Sequence, residues 1–299
     1  MRWLRRRRSA QEVAPAKPPI EPIGEGPLTP DLLAEAAARC LSPEAQAVFR
    51  SLAQPSLRLL PTSDPGAAVG RLGGAAMLPP QAQWPAWQGR GLEAVAVLDL
   101  ARLPRLAGLP LPGTGWLTFF YDAAEQSAWG FDPTQRDAWR VVYSVDAEPR
   151  SAPDGTQTLP EVALAAVEEL TAPDPFEDAL KGMHQTERDG LFALGDALPP
   201  VFEPAHWIGG WPDLVQNSMW LGAQLASNGI YVGGPEGYRD PRVPDLEPGA
   251  ADWRLLLQID SDDDAAMMWG DVGRLYFLIR EDDLVSGAFD RCWFELQCS

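Results

Sequence analysis

Apolar residues gather along this chain in two kinds of run. Ala- and Leu-rich stretches come first, at residues 30–40 and 43–53, each opened by a hydroxyl residue and a proline, Thr29-Pro30 and Ser42-Pro43. A hydroxyl accepts an early helical N–H and proline suits the first helical position, so both stretches are predicted helices. Pro55 ends the second, and residues 57–62 read as a strand. Unbroken apolar and aromatic runs follow: Ala94-Val-Ala-Val-Leu-Asp99, Gly115-Trp-Leu-Thr-Phe-Phe-Tyr-Asp122, Leu255-Leu-Leu-Gln-Ile-Asp260 and Gly273-Arg-Leu-Tyr-Phe-Leu-Ile-Arg280. Such runs suit strands covered on both faces. An extended segment near 162–170, helices over 176–189 and 213–228, and an alternating terminal strand over 291–298 complete the predicted elements. Asn228-Gly229 is the C-cap expected of the last helix. Gly- and Pro-rich loops lead to Gly91 and span 233–252.

The long runs come in the same order twice. Gly73-Gly74 and a loop through Trp84-Pro85 precede a strand ending in Asp99 and a glycine-opened aromatic strand. Gly209-Gly210-Trp-Pro212 precede a strand ending in Asp260 and a second glycine-opened aromatic strand. A period this long predicts a duplicated subdomain; a solenoid needs at least three copies. Pro149, Pro153-Asp-Gly155 and Pro160 mark the join. The expected organisation is a disordered basic, Pro-rich arm over 1–27, helices and first repeat over 28–155, and a second repeat over 156–299 packed with the first.

Charge changes the picture of partners. The 299 residues carry 24 Lys+Arg and 42 Asp+Glu, net −18. Residues 1–22 hold six basic and two acidic residues, +4, which leaves −18 − 4 = −22 on the body. Such a body repels nucleic acid and anionic membrane and attracts basic partners. The arginines Arg2 and Arg5–Arg8 precede no apolar core, whereas a signal peptide needs a run of roughly 7–15 apolar residues and a membrane span about 20. Cys40, Cys292 and Cys298 form no disulfide framework. Residues 292 and 298 lie about 20 Å apart along one strand at ~3.3 Å per residue, beyond the ~7 Å that a bridge tolerates. Reduced thiols predict a cytoplasmic setting.

At several of these residues the sequence resembles the YwqG-like family of bacterial proteins of unknown function. The matching blocks are Gly73-Gly74 with Trp84-Pro85; His206-Trp-Ile-Gly209-Gly210-Trp-Pro212 with Gln216; Leu256-Leu-Gln258-Ile-Asp260-Ser-Asp262; Trp269-Gly270-Asp271-Val-Gly273-Arg-Leu-Tyr-Phe277; and Gln297. Similarity runs from about residue 55 to the C-terminus. Val97 departs from it, standing where a Gln is expected before the strand's Asp. The resemblance implies an α+β fold, internally duplicated, with mainly antiparallel sheets and a few flanking helices. It implies no activity.

The sharpest candidate for chemistry is Asp260-Ser-Asp-Asp-Asp264. Asp260, Asp262 and Asp264 fall at positions 1, 3 and 5 of a calcium loop, with Asp271 at position 12. Ala265 at position 6 in place of glycine, aspartate rather than glutamate at 12, and flanking strands depart from that pattern, so a solvated acidic loop competes with a calcium site. His184 and His206 match no zinc spacing with the cysteines and are expected to be structural. No Gly-x-Ser-x-Gly elbow or phosphate loop occurs. The twelve tryptophans, with Trp207, Trp211, Trp220 and Trp269 crowding the second repeat, are expected mainly in a core.

These features predict a non-enzymatic protein whose acidic face captures a basic protein partner, as an immunity or adaptor protein does. The alternatives are a metal-dependent enzyme or metal binder using Asp260–Asp264, and a carbohydrate binder using exposed tryptophans.

Overall fold

The computed structural model describes residues 21–24, 26–201 and 203–299, apart from the side chain of His184. The expected arm therefore lies outside the described residues as far as residue 20. Closer to the body, Ile23 N–H donates to Ala197 O and Leu28 O accepts from Leu170 N–H, both at 3.0 Å. Helices α1 (Pro30–Cys40) and α2 (Pro43–Leu52) start where the sequence places them, with Thr29 and Ser42 hydroxyls accepting from Leu32 and Ala45 N–H. With α3 (His184–Ala197) they bury Leu33, Phe49, Leu191 and Leu194 in a small core of their own.

Ten strands form one sheet: β1 (Gln54–Pro61), β2 (Gly70–Leu72), β3 (Glu93–Asp99), β4 (Trp116–Tyr121), β5 (Trp139–Ser144), β6 (Val162–Thr171), β7 (His206–Ile208), β8 (Trp253–Asp260), β9 (Arg274–Arg280) and β10 (Trp293–Gln297). Their order is β10-β9-β8-β7-β1-β6-β2-β3-β4-β5, antiparallel throughout. The sheet curls until its edges nearly meet. Trp139 on β5 donates its indole N–H to Cys292 O and stacks on Phe294 of β10, while Trp293 donates to Gly130 O. Inside, Phe119 meets Phe277 at 5.0 Å and Tyr121 stacks on Phe294 at 4.4 Å. Contacts of this kind across a closed sheet leave few unpaired edges and a single large core.

The unbroken apolar runs are explained by what covers the outer faces. Over β3 and β4 lies a ribbon of Ala76–Leu78 and Glu148–Arg150, burying Ala94 and Phe120 with Leu92 and Trp84. Over β8, β9 and β10 lies the loop 209–219 together with α4 (Trp220–Ser227). Two predicted helices are corrected here. The helix expected over 176–189 is a 3₁₀ turn at Asp178–Leu180 followed by α3, because Gly182 interrupts the stretch and the residues that reach the helical core come later. The helix expected over 213–228 begins only at Trp220, because side chains of the sheet hold residues 213–217 in an open loop. The expected loop 233–252 contains short turns at Gly237–Arg239, Val243–Leu246 and Glu247–Asp252. All three cysteines are free. Among the described residues no helix is long and apolar enough to cross a membrane.

Candidate functional site

Residues facing each other in register share one side of a sheet. Gln258 opposes Tyr276, which opposes Glu295; Asp260 opposes Arg274, which opposes Gln297. All six are buried, so two polar rows cross the outer face of β8, β9 and β10. They bind the loop above them. Gln258 accepts Asp213 N–H at 2.9 Å and donates to Ala205 O at 2.7 Å. Tyr276 donates to Asp213 O, and Gln297 accepts Gln216 N–H while donating to Asn217 O. Gln216 returns a bond to Cys298 O. Thus Gln216, Gln258 and Gln297 act as clamps on the loop, satisfying backbone groups that would otherwise be buried unpaired.

Asp260 and Asp262 are clamped likewise. Asp260 accepts from Ala205 and Ser261 N–H and pairs with Arg274 at 3.1 Å. Asp262 accepts from Asp264 and Ala265 N–H and from His206 Nε2 at 3.1 Å. Since His206 Nδ1 accepts the Asp260 N–H, its proton sits on Nε2, which fixes the tautomer. The hydrogen bond from His206, helped by the two backbone N–H groups, holds Asp262 below the usual carboxylate range, against the effect of burial. Asp264 and Asp271 are exposed. The four aspartates of the calcium reading therefore do not converge, and no three His, Cys, Asp or Glu residues among the described residues are grouped to hold a metal. Trp269 is buried and donates its indole N–H to Asp260 O, while Gly270 and Gly273 pack against Cys298.

The loop's near end forms one wall of a cavity of about 230 Å³ between the sheet and the α1–α3 group. Leu28, Phe49, Leu191 and Leu194 line its helical side; Pro173, Pro175, Pro199, Pro200 and Pro212 line its rim. Its polar groups are Arg58 and Glu169, paired at 3.7 Å, with Asp174 and Asp213. Burial raises Glu169, Asp174 and Asp213 above their ordinary carboxylate values, against Arg58, the Phe176 N–H and Arg274 respectively. Arg274 alone serves three carboxylates: Asp213, Asp260 and Glu203. Next to the cavity Glu177 is fully buried and accepts the Trp220 indole N–H. A second, wider cleft of about 750 Å³ opens past Trp211 and Trp220.

A family model described as a domain of unknown function, DUF1963, matches residues 70–298. This chain belongs to that family. No curated protein matches it. The DUF1963 stretch contains the polar rows and the clamped loop whole. The cavity, by contrast, takes Gly26, Leu28, Phe49 and Arg58 from residues ahead of it.

Of the residues singled out in the sequence, His206, Gly209, Gly210, Pro212, Gln216, Gln258 and Asp260 come together around the DUF1963 loop. Trp269, Gly270, Asp271 and Gly273 form the turn into β9. His184 lies on α3, with its side chain outside the described residues. Sequence reasoning missed Asp213, Arg274, Tyr276 and Glu295. For Arg274, Tyr276 and Glu295 the signal was present as polar positions spaced by two inside apolar runs, the mark of a second buried face, whereas Asp213 lies in a loop and carried no such signal.

Proposed function

We propose that this DUF1963 protein is a non-catalytic acidic binding protein that captures a basic protein partner, in the manner of an immunity or adaptor protein. One observation carries the proposal. Around the loop one guanidinium, Arg274, is set against three carboxylates, and Asp174 adds a fourth acid whose charged form is penalised by burial. Carboxylates so placed gain from an incoming cation. The −22 body extends the same attraction over the surface. The test is an array of basic, neutral and acidic peptides probed with the full chain. Basic peptides are expected to retain it at low salt and release it as salt rises; equal retention by neutral or acidic peptides defeats the proposal.

The YwqG-like resemblance and a cytoplasmic setting, the latter supported by three free thiols, belong to the same proposal. So does internal duplication. Its support is the strand order, which reads outward from β1 and β6 as β7-β8-β9-β10 on one side and β2-β3-β4-β5 on the other. Each half has a two-glycine turn at positive φ after its short strand, and a bulge in its long hairpin, between Ala94 and Ala96 or Leu255 and Leu257. The metal reading gains nothing from the geometry, since Asp260 and Asp262 already take protein donors. The carbohydrate reading fares no better: the indole N–H groups of Trp211, Trp220 and Trp253 go to Leu52 O, Glu177 and Gln224.

A further inference from the structure

The cavity beneath the helices holds more than acids. Trp207 lines it, is 3% exposed, and its indole N–H has no hydrogen-bond partner. A buried donor without an acceptor costs about 1–3 kcal/mol, so the site is incomplete as it stands. Asp174 and Asp213 each have one oxygen engaged, with Phe176 N–H and Arg274. The other oxygen of each has no hydrogen-bond partner among the described residues. Their opposite wall is leucine and proline, and at about 230 Å³ the space falls below the roughly 300–1,000 Å³ of drug-sized sites. It suits one long side chain. The Arg58–Glu169 pair is self-neutralising, so the charge left uncompensated is negative.

We infer that this cavity is the docking pocket for a single arginine or lysine side chain of a partner peptide. The aliphatic stem lies along the Leu191, Leu194 and Pro173 wall, the cationic head sits between Asp174 and Asp213, and a peptide carbonyl accepts from Trp207 Nε1. The inference rests on the basic-partner reading and names where and by what chemistry that partner is held. A basic side chain answers three features together: two half-buried carboxylates that each keep one oxygen free to accept, one buried donor without an acceptor, and apolar walls that a methylene stem covers.

The test is calorimetric titration of the full chain with N-acetyl-L-arginine amide, beside N-acetyl-L-norleucine amide, which keeps the stem and carbonyl but lacks the charge. The arginine compound is expected to bind and the norleucine compound to bind at least tenfold more weakly. Asp174→Asn keeps the acceptor for Phe176 N–H and is expected to weaken the arginine compound at least tenfold. Trp207→Phe keeps the ring and is expected to weaken both compounds. Thermal unfolding of each variant checks that it folds. Equal binding of the two compounds, or wild-type affinity in folded Asp174→Asn, overturns the inference. The peptide array separates this from failure of the wider reading. If Asp174→Asn retains basic peptides as the wild type does, the acidic surface binds and the pocket does not. If the wild type retains none, the basic-partner reading falls by itself.

Discussion

At the scale of single residues, the most informative group is Glu177. Burial, only partly offset by the hydrogen bond from Trp220, pushes its carboxyl up to about 7. A carboxyl raised in the folded state keeps its proton there while the unfolded chain ionises near 4.5. Folded protein therefore binds more protons between about pH 4.5 and 7, and stability from this group declines as pH rises through that window. The full cost, about 3 kcal/mol, is present above pH 7. Glu177→Gln still accepts from Trp220 and has no charge to bury. Urea unfolding should show it about 2–3 kcal/mol more stable than wild type at pH 8 and nearly equal at pH 4. A constant difference at both pH values would show that ionisation is not the cause. Gln258 makes the opposite case. Gln258→Leu leaves Asp213 N–H and Ala205 O without partners, and at about 1–3 kcal/mol each the expected loss is about 2–6 kcal/mol. A loss under 1 kcal/mol would mean that the loop is not clamped there.

At the scale of elements, turns after short strands decide where the loop goes. Gly210 has φ +71°, and a Cβ there would fall on Thr171 Oγ1 and crowd Ser56. Gly229 has φ +83° with open space around it. Gly229→Ala should therefore cost only the backbone strain of a left-handed residue, about 1–2 kcal/mol. Gly210→Ala adds a clash and should cost clearly more, read as a lower urea midpoint than Gly229→Ala. Equal midpoints would mean that β1, β6 and the turn separate easily. This contrast also shows why some elements were legible in the sequence and others were not. Helices α1 and α2 carry their own start signals in Thr29 and Ser42, and the long strands carry their own apolar runs. Residues 213–219 look helical because nothing local forbids it. What opens them is a row of side chains 45 and 81 positions away, at Gln258 and Gln297. The acidic loop misled for the same reason. Asp260 and Asp262 have cation-ligand spacing, but their partners, His206, Ala205 and Arg274, are set by pairing of β7, β8 and β9.

At the scale of the whole molecule, charge acts on stability and on binding with opposite sign. A chain of net −18 repels itself when compact, and salt screens that repulsion over a Debye length of about 10 Å at 0.1 M. Raising sodium chloride from about 20 to 300 mM at pH 8 should therefore stabilise the free protein. Recovery of about 1 kcal/mol corresponds to a rise of about 2–4 °C in Tm for a domain of this size. Near pH 4, where Asp and Glu titrate, the rise should shrink. The same salt should weaken retention of basic peptides, because it screens attraction as well as repulsion. A protein built for stability alone has no reason to leave Asp174 and the three carboxylates around Arg274 so poorly matched in charge. If salt lowers Tm, internal ion pairs outweigh repulsion, and the acidic excess is already neutralised within the fold. If salt raises Tm while releasing basic peptides, the excess is held at a cost in the free protein that a cationic partner relieves.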